Sequence, residues 1–231
     1  MKSKQSSRRF HHYLWATYRR KSIDKLQERY KQLYQGIVLD IGGIDRGIFV
    51  KPRHLVQRWV FADIDKNNKP DIVLDVTNMH CIETESIDVL NAIEVFEHVE
   101  KPELGLQECH RILKKDGTAI FSMPFLYPIH GAPHDFQRWT EYKWKKELER
   151  VGFRIEKIEI TGRFFMVFCD MIKHFIKSLP SVLRYPCYML YPILDLLVSL
   201  DDTAIIVKNE RLNRFHDGYF LILKKVSPSI S

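Results

Sequence analysis

The sequence is poor in cysteine and has no long apolar run. Its four cysteines, Cys81, Cys109, Cys169 and Cys187, lie far apart, and no pair has CxxC or metal-ligand spacing. Reduced thiols in a cytoplasmic protein are therefore expected, with no disulfide framework and no metal site. No segment offers the roughly 20 consecutive apolar residues that a membrane span needs. No secretory signal is read at the start, because His11, His12, Arg19 and Arg20 interrupt any apolar stretch there. Internal repeats and low-complexity tracts are also missing. What remains is the composition of an ordinary globular protein: 231 residues, 45% hydrophobic and 28% charged, enough for one good core or two small ones.

Charge is plentiful but uneven. Residues 1–31 hold ten Lys/Arg against Asp24 and Glu28, while the other 26 Lys/Arg and 27 Asp/Glu nearly cancel. The net charge of +7 thus belongs to the N-terminal segment. Ile23, Leu26, Tyr30 and Leu33 recur there at helical spacing, so residues 1–35 read as a basic helical segment. Its basic face is either simply solvated or suited to phosphates or an anionic membrane surface.

From residue 36 onward, short apolar runs alternate with helical stretches. Strands are expected at Ile37–Ile41, Trp59–Ala62, Asp71–Asp75, Ile87–Ile93, Thr118–Met123, Phe153–Ile160 and Gly218–Leu223. Helices are expected from about Pro102 to Leu113 and from Thr140, as N-cap, to Val151, with Gly152 as the stop, and Lys115-Asp116-Gly117 reads as the turn into the fifth strand. This pattern predicts an α/β fold, a Rossmann-like seven-stranded mostly parallel sheet with helices on both faces, over residues 36–231. Ligands of such sheets sit at the carboxyl ends of the strands. Residues 164–200, rich in Phe, Leu, Ile, Tyr and Met and broken by Pro180, Pro186 and Pro192, form an apolar helical insertion before the last strand. Three readings stay open for it: a lid over a substrate, extra core packing, or an interfacial patch that meets a membrane or a lipid-linked substrate.

The local motif with most chemistry in it is Val38-Leu-Asp-Ile-Gly-Gly-Ile-Asp-Arg-Gly47. A strand running into glycines lets backbone approach a ligand closely, and a following helix N-terminus would offer free N–H groups. Asp63, at the end of the second strand, can accept two hydrogen bonds from a ribose diol. Asp75, at the end of the third, is placed to meet an adenine.

Together with Asn91-Ala-Ile-Glu-Val-Phe-Glu-His-Val99 and Leu113-Lys-Lys-Asp-Gly117, these residues resemble class I S-adenosylmethionine (SAM)-dependent methyltransferases of the methyltransferase-11 type. The resemblance covers about residues 36–160 and the final strand. It implies SAM as cofactor. It assigns the methionine part to the loop Asp40, Gly42 and Gly43, the ribose to Asp63 with its neighbour Ile64, the adenine to Asp75 and Val76, and further contacts to residues around Asn91. Glu97 and His98 match the family pattern in a structural role. The later glycines of the family's loop are shifted here, so contact by Gly47 stays open.

The loop after strand five, Pro124 to Thr140, resembles methyltransferases of cell-surface saccharide and natural-product pathways. It concentrates His130, His134, Asp135, Arg138 and Trp139. Methyl transfer to oxygen or nitrogen needs alignment, exclusion of water and removal of a proton. His134 is favoured as the base, with His130 as competitor, Asp135 orienting neighbouring groups and Arg138 contacting substrate or Asp135. The expected acceptor is a small molecule or a saccharide-type compound. Three rivals are an NAD-binding Rossmann enzyme, a nucleic-acid methyltransferase or RNA-binding module, and a non-catalytic homologue that uses its apolar insertion as an interaction surface. The Tyr142-x-x-x-Lys146 spacing of short-chain dehydrogenases is present, but it sits in a lysine-rich helix without the companion motifs. A body of nearly zero net charge with no stacking motif argues against nucleic acid.

Overall fold

The structure is a computed structural model that describes residues 11–44 and 47–226. Lys2, Lys4, Arg8 and Arg9 of the basic segment, and Asp45 and Arg46 of the glycine loop, lie outside the described residues. Two compact units are present, one made of residues 29–45, 50–159 and 219–231, the other of 1–28, 46–49 and 160–218.

The larger unit is built on a seven-stranded sheet of order β3-β2-β1-β4-β5-β7-β6. Its strands are β1 (Gly36–Ile41), β2 (Val56–Asp63), β3 (Ile72–Val73), β4 (Ile87–Ile93), β5 (Leu113–Pro124), β6 (Phe153–Ile160) and β7 (Gly218–Lys225). β1 pairs in parallel with β2 and β4, β2 with β3, and β4 with β5. The order reverses between β1 and β4, and the crevice at such a switch point is where open α/β sheets bind ligands. Leu39, Leu90, Ala92, Phe121 and Leu221 from the strands close on Leu106, Cys109, Trp144 and Leu148 from two helices to make the core.

Local chemistry accounts for those helices. Pro102 opens the first, Pro102–Ile112, at a position where its missing N–H costs nothing. In the second, Glu141–Val151, the Thr140 hydroxyl accepts from Lys143 N at 3.3 Å and Gly152 ends it at φ +100°. Trp144, Glu147 and Leu148 are buried on one face of this helix, while Tyr142 is 75% exposed on another, which leaves the Tyr-x-x-x-Lys spacing on the solvent side.

Three expectations need correction. Among the described residues no helix follows the glycine loop: β1 passes to β2 through bends and turns. β3 is only two residues long, so Asp75 lies beyond its end, in a bridge with Asn78. Lys115-Asp116-Gly117 is not a turn into β5 but a bulge within it. Ile87 pairs with Leu113 and Val89 already with Thr118, and Asp116 takes φ +57° to absorb the extra residues.

The smaller unit is helical: α1 (Tyr18–Arg29, all but its last residue), then α4 (Phe164–Ser178), α5 (Ser181–Cys187), α6 (Tyr191–Ser199) and α7 (Ala204–Val207), the two helices above being α2 and α3. It is held by buried carboxylates. Asp170 of α4 accepts from the backbone N–H of Tyr18 and Arg19 at 2.6 and 2.9 Å, closing the start of α1. Asp201 does the same for α4, accepting from Arg163, Phe165 and Met166 N–H, each at 2.9 Å. Carboxylates are favoured at helix N-termini, where free N–H groups and the helix dipole meet. Arg19, 1% exposed, donates to Asp217 and Thr161 at 3.0 Å each. One basic residue of the N-terminal segment is therefore an internal strut and not part of a solvated face. Gly47 packs against α1: a Cβ there would collide with the Asp24 carboxylate.

Candidate active site

At the carboxyl end of β1 the chain turns through Gly42, at φ +66°, where a Cβ would meet Val95 at 2.9 Å. Asp40, 1% exposed, lies beneath this bend. Its carboxylate accepts from Asn91 Nδ2 at 2.6 Å and Trp59 Nε1 at 2.9 Å, and pairs with Lys51 Nζ at 3.1 Å. Asn91 in turn accepts from the Tyr34 hydroxyl at 2.9 Å. Any side chain on Gly43 would strike that carboxylate, so the Gly-Gly pair is required both by conformation and by space. Lys51 also donates to Gly43 O at 3.3 Å, which fastens the bend from the other side.

On the neighbouring tip, Asp63 pairs in register with Val73, and its backbone oxygen accepts from Leu74 N at 2.9 Å. Asp63 thus ends β2, and Asp75 comes two residues after the end of β3, the strand beside it. The Asp63 carboxylate accepts from Asp65 N at 2.8 Å and Asn68 Nδ2 at 3.1 Å. A carboxylate has about four lone-pair sites, so acceptor capacity remains. Asp75 accepts from Thr77 N and Oγ1, both at 2.8 Å. Ile64, 70% exposed, presents an apolar surface at the β2 tip, whereas Val76, 6% exposed, is part of the core.

The second half of the site follows β4 and β5. The turn Phe96–His98 comes just after β4, and the loop after β5 is stitched to it. Phe136 N donates to Glu97 O at 2.8 Å, and Gln137 Nε2 to Val99 O at 2.6 Å. His98 Nδ1 meets the backbone oxygen of His134. Arg138 grips Asp135 with both terminal nitrogens. That guanidinium, ahead of the opposing effect of burial, holds the Asp135 carboxyl well below the usual range. Asp135 also accepts from His130 N at 2.7 Å and lies 3.4 Å from His130 Nδ1. It therefore orients His130, not His134. The His134 ring is exposed and touches Phe136.

Glu97 is fully buried, and its Oε1 lies 3.6 Å from His130 Nε2 and 3.8 Å from His98 Nε2. Burial pushes the Glu97 carboxyl up, while Glu97 beside His130 pushes that imidazole up. This cluster was invisible to spacing rules, because His130 and the Glu97-His98 pair come from different strand ends. Lys51 and Trp59 were missed as well: nothing in their sequence neighbourhood marks them as partners of Asp40.

Residues 58–121 match the family described as methyltransferase domain. Over 51 residues the chain is 41% identical to a ubiquinone biosynthesis O-methyltransferase of Glaesserella parasuis serovar 5 (strain SH0165), covering 22% of each protein. Over 121 residues it is 27% identical to the protein of the same name from Actinobacillus pleuropneumoniae serotype 5b (strain L20), covering 43% of this chain and 50% of that one. The chain thus spans half or less of the length of these curated relatives. A SAM-dependent methyltransferase from Archaeoglobus fulgidus shares the fold, with a TM-score of 0.59 at 18% identity over 94% of this chain and 98% of that one.

Proposed function

We propose that this chain, whose residues 58–121 match a methyltransferase domain and whose fold is shared with a SAM-dependent methyltransferase, transfers the methyl group of SAM to an oxygen or nitrogen of a small-molecule or saccharide-type acceptor. The observation that carries the proposal is the pair of carboxylates on adjacent tips, Asp63 and Asp75, beside the Gly42–Gly43 bend. The donor set suits an adenosyl group: Asp63 has lone pairs left for a ribose diol, Ile64 offers an apolar wall, and Asp75 an acceptor for an exocyclic amine. Asp40 and Asn91 serve by holding the bend, and Val76 by supporting the Asp75 turn from the core.

When bound, SAM supplies an electrophilic methyl on a sulfonium. The chain's own residues would then position the acceptor and take its proton. His134 is the base in this reading: its ring is exposed, while His130 is engaged on both sides by Glu97 and Asp135. General-base help of this kind is worth about a hundred- to ten-thousandfold in rate. The Asp135–Arg138 pair keeps the loop shaped over the acceptor.

A thermal-shift measurement separates this from a nicotinamide enzyme on the same fold. S-adenosylhomocysteine should raise the melting temperature and NAD should not; the opposite pattern would reverse the assignment.

The helical unit suggests where the acceptor comes from. No helix among the described residues is long and apolar enough to cross a membrane. Yet Met171, Phe175, Val182, Met189, Leu196 and Ile205 are 63–83% exposed. Apolar exposure on this scale marks an interaction surface. In our reading it lies on a bilayer surface, where a lipid-linked acceptor would be found. Flotation of the full chain with phospholipid vesicles is the expected outcome, and a chain that stays at the bottom of the gradient removes this part of the proposal.

A further inference from the structure

Glu97, His98 and His130 each offer a ligand atom, and all of these atoms lie within 4.8 Å of one another. Glu97 is 0% exposed, and among the described residues neither of its carboxylate oxygens has a hydrogen-bond partner. A buried carboxylate without partners is expensive, by several kcal/mol. The two Nε2 atoms nearest to it, at 3.6 and 3.8 Å, are too far for good hydrogen bonds. They are at about the separation found between ligands that share one ion at roughly 2.0–2.2 Å each.

The far side of each ring supports the same conclusion. His98 Nδ1 meets the carbonyl of His134. His130 Nδ1 faces Pro128 O at 3.3 Å and Asp135 Oδ2 at 3.4 Å. Arg138 Nη2 is also 3.4 Å from that nitrogen, but it is spent on Asp135 Oδ2 at 2.8 Å. Oxygen acceptors behind both rings favour the proton on Nδ1 and leave the Nε2 lone pairs directed at Glu97. Metal-bound histidines show this arrangement, with the second nitrogen donating to a carbonyl or carboxylate. The backbone bond from Phe136 N to Glu97 O, at 2.8 Å, fixes the two segments together, so the cluster is assembled before any ion arrives.

We propose that Glu97, His98 and His130 bind one divalent transition-metal ion. Two neutral imidazoles and one carboxylate suit Zn2+ better than Mg2+ or Ca2+, which prefer all-oxygen sites, and Mn2+ serves as a paramagnetic probe of the same ligands. The two imidazoles are 25% and 29% exposed, so the ion's remaining positions are open to water or to an oxygen ligand. The site stands on its own geometry and is independent of the methyl-transfer reading.

The test is a titration of the chelator-stripped full chain with Mn2+, followed by the loss of the free-ion EPR signal, and with Zn2+ in competition with a chromophoric chelator. One ion per chain is expected, bound more than about a hundredfold more weakly by E97Q and by H130N. D135N, which loosens only the orientation of His130, should cost about tenfold, the low end for losing a group that orients a metal-bound histidine. In the wild-type chain, nitrogen-15 spectra of the histidine rings should show Zn2+ shifting the Nε2 of two histidines, a readout that needs no variant to fold. Absence of binding, or binding that E97Q and H130N leave unchanged, would overturn the proposal.

Discussion

The two units use carboxylates in opposite ways. In the sheet unit Asp63 and Asp75 stand at strand tips with acceptor capacity to spare, and Asp40 below them is spent on Asn91, Trp59 and Lys51. In the helical unit Asp170, Asp195, Asp201 and Asp217 are all spent internally. Asp195, for example, accepts from the Tyr13 and Tyr18 hydroxyls at 2.7 Å each. The first unit keeps its unsatisfied chemistry polar and at one edge. The second spends these carboxylates on its own backbone and side chains and leaves apolar side chains outside. A binding site and a docking surface differ in just this respect, so the contrast can be tested by substitution.

The largest effect is expected where a buried pair is broken. Arg19→Leu strands Asp217, which is 0% exposed, and should cost about 3–5 kcal/mol of stability, read by urea unfolding. A loss below about 1 kcal/mol would show that the helical unit does not depend on its internal charges.

Asp63→Ala should weaken S-adenosylhomocysteine about a hundredfold or more in titration calorimetry, since each hydrogen bond to a charged group is worth about 1.5–3 kcal/mol. The fold should survive, because Asp63 supports only the local Asp65–Asn68 turn.

A smaller effect is a pH slope. Burial, reinforced by Lys21, holds Lys173 down to about 7 against its ordinary 10.5. Between these values the unfolded chain binds more protons than the folded one, so stability rises with pH there. This contribution is present above 10.5 and lost as pH falls through 7. Lys173→Met should flatten the slope in unfolding experiments run across that window.

The smallest effect on stability is expected from Val182→Ser combined with Met189→Ser. These positions are 83% and 82% exposed, and the change should be within about 0.5 kcal/mol. Vesicle flotation should nevertheless fall. Lost stability with unchanged flotation would turn the apolar face into packing.

Much of the sheet was legible because its signals are local. The β1 and β4 runs, the Thr140 cap and the Gly152 stop each depend on neighbours within a few residues. Bilateral burial made the strands apolar, and capping chemistry marked the helix ends. The Lys-Asp-Gly sequence at Asp116 suits a turn as well as the bulge it forms. β3 was overestimated because Leu74 is apolar for core packing and not for ladder pairing. The helical unit gave its apolar content away but not its carboxylate struts. Asp170 closes a helix 152 residues earlier in the chain, and no periodicity reports that. The Glu97, His98 and His130 cluster is the same kind of case within the site: two strand-end segments supply it, and only the fold brings them together.

The central claim is that an adenosyl group is held by the tips of β1, β2 and β3. A crystal structure with S-adenosylhomocysteine measures this most directly. The ribose hydroxyls are expected on the Asp63 carboxylate, with the adenine between Ile64 and Asp75. Density for the adenosyl group at any other place would contradict it.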